Sequence, residues 1–403
     1  MKKNDIFVNV IKGIDAVITE EKCNTKKDFV TVIGITKNST IAFVYINEKN
    51  RYWELPGGAI ESGETVLQAA KREFEEETGL FLKELLEVLA VDNFENKTGN
   101  IDSSVAVVVG IINDELEPVI SDPEIEKCNF FDSIPDNSTF NVDYLRALIT
   151  KSLSKYSVLQ NSNMWNIAGK EYENTTFISE DDVHYGPLLP GESELKILPL
   201  LNGKRILELG CGAGHNLEAL RKLGASNGVG IDFCVDQINL AKKRTDSRFS
   251  FVLGDFTDSE LIEGLGKFDL IISVFAISFV PDINTLVENI AKVLKIGGSI
   301  VISTDHPSRK LNDSINSNNE QRLRYWNTLG EEKIPYIHYL HTKEDFIEAF
   351  DKFGLTVLKI LEPKPLPLER VEDAPYYCDF YRNRYDELCK SPYTIIYIVT
   401  KKE

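Results

Sequence analysis

The pattern of hydrophobic positions changes character along the chain. Two runs rich in β-branched and small residues, Phe29-Val30-Thr31-Val32-Ile33-Gly34-Ile35 and Thr40-Ile41-Ala42-Phe43-Val44-Tyr45-Ile46, predict a hairpin turning near Lys37-Asn38-Ser39. A Gly-rich loop and an acidic helix follow at 55–80, then a strand at Ser104–Ile112 and a closing helix from Asp143 to Leu153. Strands on both sides of one early helix predict an α/β sandwich.

The stretch 155–182 is polar and weakly patterned, and it predicts a linker at 154–163 between a first domain, 1–153, and a second, 164–403. From 196 the rhythm becomes strand–helix alternation. Strands are expected at Arg205–Leu209, Gly228–Ile231, Phe249–Leu253, Leu270–Val274 and Ser299–Ser303, and helices near 215–223, 235–243 and 284–294. That order is the signature of a doubly wound, mainly parallel sheet. Residues 308–333 are Asn/Ser-rich and then aromatic (Tyr325, Trp326); an insertion of that length after a strand reads as a lid. There are no internal repeats.

Composition narrows the function classes. The chain has 403 residues, 42% of them hydrophobic and 27% charged, as in an ordinary soluble protein. No apolar run is long enough to cross a bilayer, and no apolar stretch of signal-peptide type follows Met1, so a cytoplasmic enzyme is expected. The formal net charge is -18, and residues 1–150 carry 27 acidic against 15 basic side chains. Such a field repels phosphate backbones and anionic lipid surfaces, so small-molecule partners are expected and neither nucleic acid nor membrane. Six cysteines show no Cys-x-x-Cys pair and no His at ligand spacing, which predicts free thiols and no zinc site.

The first chemical segment is Leu55-Pro56-Gly57-Gly58 running through Glu64 to Arg72-Glu73-Phe74-Glu75-Glu76-Glu77-Thr78-Gly79-Leu80. Thr65 with Gln68 makes a capping box, so a helix begins at Val66, and Gly79 is the expected stop. Val66, Ala70 and Phe74 form its apolar stripe. Glu73, Glu76 and Glu77 stand at i, i+3 and i+4 on the adjoining face. Close carboxylates repel by about 3 kcal/mol per pair at an effective dielectric near 20. A hard divalent cation, Mg²⁺ or Mn²⁺, offsets that repulsion; a merely solvated acidic face is the structural alternative.

Gly58, Glu64, Arg72, Glu73, Glu76, Glu77 and Gly79, with Phe74 and Leu80 at the apolar positions, resemble the Nudix box at every fixed position. The resemblance implies a Nudix α/β/α sandwich with a mixed sheet. It makes Glu73, Glu76 and Glu77 metal ligands, has Glu64 assist metal or water, and has Arg72 hold Glu73. It also implies hydrolysis of a diphosphate linked to another moiety. Phe74 is bulkier than an aliphatic residue, so local repacking is expected. A box retained in a domain that binds without cleaving is a second reading.

The second segment is Arg205-Ile206-Leu207-Glu208-Leu209-Gly210-Cys211-Gly212-Ala213-Gly214-His215-Asn216, a buried strand running into a Gly-rich turn and a helix. Glycines let a cofactor approach the backbone, and the helix start favours a carboxylate or phosphate. Asp232 ends the next strand, where a carboxylate can accept both ribose hydroxyls. The spacing is E-x-G-x-G-x-G rather than the G-x-G-x-x-G of a dinucleotide site. It resembles motif I of class I S-adenosylmethionine-dependent methyltransferases. Gly254-Asp255-Phe256, Lys267–Ser273 and Ala291–Gly298 match later family segments in order. The resemblance covers about 165–403 and implies a Rossmann-like doubly wound sheet with S-adenosylmethionine as cofactor. Glu208, Gly210, Gly212 and Gly214 would wrap its amino-acid part, Asp232 its ribose, and Asp255 with Phe256 its adenine. His184-Tyr185-Gly186-Pro187 resembles a segment that folds over the cofactor, with Tyr185 as the expected contact; Tyr172 is a further candidate.

The methyl acceptor is less legible. Val274-Phe275-Ala276-Ile277-Ser278 carries no Asn-Pro-Pro-Tyr type signature, which argues against amino-methylation of DNA bases. His306, after the fifth strand, is a candidate general base or a capping histidine; His338 and His341 are further candidates. Together the two segments predict a bifunctional enzyme. It would hydrolyse a nucleoside-diphosphate-linked small molecule with Mg²⁺ and methylate a small-molecule acceptor. A methyltransferase regulated by a nucleotide-binding Nudix sensor is the alternative.

Overall fold

The structure is a computed structural model that describes residues 29–37, 39–47, 52–95, 101–113, 116–131, 134–138, 142–307, 315–316, 322–329 and 332–402. The chain start, Cys23, Asn38 of the expected turn and much of the expected lid lie outside the described residues. The chain divides into two compact units, Met1–Ser157 and Val158–Glu403.

The first unit is built on one mixed sheet. Its strands are β1 (Phe29–Ile35), β2 (Ile41–Ile46), β3 (Tyr52–Glu54), β4 (Gly57–Ala59), β5 (Leu82–Glu95), β6 (Ile101–Ile112) and β7 (Ile125–Phe131). The order is β3-β2-β1-β6-β5, with β4 on β1 and β7 on β2. β1 and β2 form the expected hairpin, with Ile35 opposite Ile41. β1 also runs parallel to β6, from Phe29 opposite Val105 to Ile35 opposite Ile111.

Side-chain alternation along β1 divides the core between the two sheet faces. Val30 and Val32 pack with Ala70 and Phe74 of helix α1 (Val66–Thr78). Ile33 and Ile35 pack with Leu148, Ile149 and Leu153 of helix α2 (Val142–Thr175). The outcome is the expected α/β/α sandwich. Phe74 is fully buried, and the repacking expected for it is provided by Gly34, where a Cβ would come within 2.7 Å of the Phe74 ring. The helix start and stop also match expectation. Thr65 and Gln68 form both halves of the capping box, and Gly79 closes α1 at φ 69°.

Helix α2 departs from expectation. It continues through 154–163, the expected linker, and on to Thr175. Polar composition hid it. The stretch holds no proline and one glycine, Gly169, so nothing breaks the backbone ladder. Its apolar stripe also changes along its length, with Leu148 and Leu153 in one core and Met164 and Ala168 in another.

The second unit carries β8 (Phe177–Ile178), β9 (Arg205–Leu209), helix α3 (His215–Lys222), β10 (Asn227–Asp232), helix α4 (Val235–Arg244), β11 (Phe249–Leu253), β12 (Phe268–Val274), helix α5 (Ile283–Val293) and β13 (Leu294–Asp305). The insertion expected as a lid holds β14 (Ile315–Asn316), β15 (Arg322–Leu329) and the start of β16 (Glu332–Tyr339), which form an antiparallel sheet of their own. Helix α6 (Lys343–Lys352), β17 (Leu355–Leu361), β18 (Tyr376–Tyr377) and β19 (Thr394–Lys401) follow. The main sheet runs β11-β10-β9-β12-β13-β19-β17. β9 pairs parallel with both β10 and β12. The chain leaves β9 toward one edge and returns to its other side at β12. That topological switch opens a crevice beyond the carboxyl end of β9. β17 and β19, which sequence patterning did not anticipate, extend the sheet antiparallel.

No helix of the described residues is long and apolar enough to cross a membrane. Among the described residues Cys128, Cys211, Cys234 and Cys378 are buried free thiols and Cys389 an exposed one.

Candidate functional sites

In the first unit, α1 presents its acidic face to the turn that carries β4. Arg72 is the hub. Its Nε and Nη2 donate to the two Glu64 carboxylate oxygens, each at 2.8 Å. Nη1 donates to Glu73 at 2.7 Å and to Glu76 at 3.2 Å. Nη2 also donates to the Ala59 carbonyl at 3.0 Å, tying the helix to the turn. The bidentate guanidinium holds the Glu64 carboxyl down at about 2. Glu77 turns instead to the Gly57 backbone N–H, 2.9 Å away. Burial pushes its pKa up to about 8, and the charges of Glu73, Asp122 and Glu54 add to that. At Gly58 a Cβ would collide with the Glu73 carboxylate as Arg72 holds it, so the glycine leaves that carboxylate room.

The donor set suits a hard divalent cation. All its groups are carboxylate oxygens, and Glu77 is a half-buried acid with no cationic partner among the described residues. Glu64, Glu73 and Glu76 converge on Arg72, however. Among the described residues no three His, Cys, Asp or Glu side chains are already arranged to hold an ion.

In the second unit a cavity of about 690 Å3 opens at the switch point. That volume suits a small-molecule ligand. Glu208 is 3% exposed, and its Oε2 is buried without a hydrogen-bond partner. Burial pushes Glu208 up to about 8 and Asp232 up to about 6. Asp232 accepts from the N–H of Gly212 at 2.9 Å and of Cys234 at 2.8 Å, which fixes its carboxylate at the strand end. Gly210 takes φ 67°, and a Cβ there would collide with Ala276. Glu208, Gly210, Gly212, Asp232 and Phe256 all line the cavity, as does Tyr172.

Four expected contacts lie elsewhere, and each has a physical reason. Gly214 packs against α4, where a Cβ would come 3.0 Å from the Ala241 methyl. Asp255 accepts from the Thr257 N–H at 2.8 Å and serves its own turn. Tyr185 is fully buried in the core, its hydroxyl donating to Glu192 at 2.7 Å. Neighbours in an extended segment point oppositely, so His184 is the residue that reaches the cavity. Its Nδ1 is buried without a hydrogen-bond partner, and burial lowers its pKa to about 4, so the ring is neutral. His306 lies off the wall, 3.4 Å from Glu362, because the chain turns after β13. The residue before it, Asp305, lines the cavity together with His338, whose Nδ1 is 3.9 Å from the Asp305 carboxylate. His341 reaches the Val280 carbonyl at 2.6 Å.

Trp165, Phe279, Tyr376, Tyr381 and Arg384 also line the cavity, and motif spacing gave no hint of them. They come from distant parts of the chain: Trp165 meets Phe279 edge to face at 6.2 Å, and the β8–β18 pairing sets Tyr376 opposite Ile178.

Residues 28–134 match a NUDIX domain, and residues 189–360 match a methyltransferase domain. An arsenite methyltransferase of Aquipseudomonas alcaligenes is 28% identical over 202 residues, covering 45% of this chain and 55% of its own. A ubiquinone biosynthesis O-methyltransferase of Bradyrhizobium diazoefficiens is 32% identical over 113 residues, covering 28% of this chain and 44% of its own. The chain spans about half the length of the curated relatives it matches. A solved S-adenosylmethionine-dependent methyltransferase of Mesorhizobium loti overlaps 51% of this chain and 94% of its own, at 19% identity and a TM-score of 0.39. One of Clostridium acetobutylicum overlaps 65% and 100%, at 16% identity and a TM-score of 0.36.

Proposed function

We propose that this chain, a NUDIX domain joined to a methyltransferase domain, is a bifunctional enzyme acting on small molecules. Its first domain, 1–153, would hydrolyse a nucleoside-diphosphate-linked compound, and its second, 164–403, would methylate a small acceptor. The observation that carries the reading is the cavity in which Glu208 Oε2 and His184 Nδ1 are buried without partners beside Asp232. Buried polar atoms cost free energy unless something pairs with them, so the cavity is shaped for a polar ligand.

In the hydrolase half Glu73, Glu76 and Glu77 would hold Mg²⁺ or Mn²⁺. Such an ion neutralises phosphate charge and lowers the pKa of an attacking water. Arg72 keeps Glu64 ionised and holds the Glu73 carboxylate in place, and Gly58 leaves room for that carboxylate. In the methyltransferase half Glu208, Gly210 and Gly212 would bind the amino-acid end of S-adenosylmethionine, Asp232 the ribose and Phe256 the adenine. The sulfonium supplies an already activated methyl group, so alignment carries much of the rate. His338, steadied by Asp305, would take the acceptor's proton. A cytoplasmic setting and small-molecule partners, without nucleic acid or membrane, suit the acid excess and the free thiols.

One observation favours a second reading, in which the Nudix domain senses a nucleotide without cleaving it. Glu73 and Glu76 already share Arg72, which weakens them as ligands. The test is incubation of the full chain with Mg²⁺, a panel of nucleoside-diphosphate-linked compounds and methyl-labelled S-adenosylmethionine. Mononucleotide release and a labelled product support the bifunctional reading. Tight nucleotide binding with no release over the whole panel replaces it with the sensor.

A further inference from the structure

The cavity of the second unit extends beyond the motif residues into a half walled by aromatic rings. Trp165 and Tyr172 meet edge to face at 5.3 Å, and Tyr172 lies 6.4 Å from Tyr376. Tyr376 in turn meets Tyr381 at 5.9 Å. A continuous wall of ring faces and edges suits a flat, largely apolar ligand. Tyr172 is also a candidate cofactor contact, whereas Trp165, Tyr376 and Tyr381 lie outside the segments assigned to the cofactor.

At the end of the wall Arg384 lies over Phe380, its Cζ 4.1 Å from the ring centroid. Both residues line the cavity. Several other arginines of this unit clamp acids: Arg221 holds Glu218 at 2.7 Å, Arg244 Glu180 at 2.6 Å, and Arg370 Glu194 at 2.7 Å, while Arg205, stacked on Phe268, is spent on the Lys267 and Leu265 carbonyls. Arg384 has no carboxylate partner among the described residues, in a chain with 63 acidic and 45 basic side chains. Glu173 on the same wall is paired with Arg244 at 3.7 Å. A guanidinium stacked on a ring keeps its hydrogen-bonding edge open, and that edge matches a carboxylate or phosphate bidentately.

We propose that the methyl acceptor is a flat, largely apolar molecule bearing an anionic group, a carboxylate or a phosphomonoester, with its body on the Trp165–Tyr172–Tyr376 wall and its anion on Arg384. The inference rests on the methyltransferase reading above. It is tested by calorimetry on the full chain in chelator, first with S-adenosylhomocysteine alone. Phenyl phosphate, benzoate, benzyl alcohol and benzylamine are then titrated into the saturated protein. One or both anions should bind at least roughly tenfold tighter than the alcohol and the amine, and the tighter one tells phosphate from carboxylate. Arg384→Gln should erase that preference while S-adenosylhomocysteine affinity stays within about twofold, which also reports that the variant is folded. Arg384→Lys, a point charge without the fork, should fall between the two. Anions that bind no better than benzyl alcohol, or a preference that survives in Arg384→Gln, overturn the inference and leave the methyltransferase reading intact. Failure of the wild-type chain to bind S-adenosylhomocysteine strikes the methyltransferase reading itself.

Discussion

Glu208 shows how one buried carboxylate couples function to stability. Burial dominates its shift to about 8, the Asp232 charge adds to it, and the Asn216 hydrogen bond opposes it. The folded pKa stands above the ordinary value of 4.5, so the folded state binds the proton more tightly than the unfolded chain. The associated stability is complete below the ordinary value and is lost as pH rises through about 8. Ligand-free protein should therefore lose thermal stability between about pH 5 and pH 9, and Glu208→Gln should remove on the order of 3 kcal/mol of that loss. Asp232, shifted the same way, leaves a residual slope. The same variant should weaken S-adenosylhomocysteine binding by at least about tenfold, read by calorimetry. A pH profile identical to wild type would remove Glu208 from this account. Residues like Glu208 and Glu73 were legible because their meaning lies in local spacing. Tyr185 and His184 were not told apart, because which face of an extended segment meets a cavity depends on partners far away in the sequence.

Single elements were legible where their ends carried chemistry. Helix α1 was readable from Thr65, Gln68 and Gly79, each acting on its own turn. Gly79 has a second, unwritten constraint. It sits at φ 69°, and a Cβ would collide with the Val119 carbonyl. Gly79→Ala should cost about 2–3 kcal/mol, combining the left-handed penalty with that collision. Scanning calorimetry should show one unfolding transition lowered and the other unmoved, since each unit has cores of its own. A substitution without effect on either transition would mean the turn moves freely. Helix α2 was illegible beyond Leu153 for the opposite reason. No cap or breaker marks its length, and its buried residues serve different cores, so no single periodicity runs through it.

For the molecule as a whole, two sites in two separately cored units predict separable losses. Glu77→Gln should cut diphosphate hydrolysis by at least about tenfold while leaving methyl transfer within about twofold. Gly212→Val, which places a β-branched residue at φ 49°, should do the reverse. Assaying both reactions on both variants checks it, and a joint loss in either variant would show the units to be coupled. Element order and charge balance made the two-part plan legible. The sheet edge did not follow from it, because β17 and β19 join antiparallel, outside the strand–helix alternation. β19 lies between β13 and β17, bonded to both, with most of its residues buried. A polypeptide cut short anywhere before Thr394 therefore loses an interior slat rather than a trailing end. Two strands already synthesised would be left with bare edges, open to pairing with other chains. On the ribosome, this sheet cannot be completed until almost the whole second unit has emerged, which makes nascent and truncated forms the natural clients of chaperones and proteases.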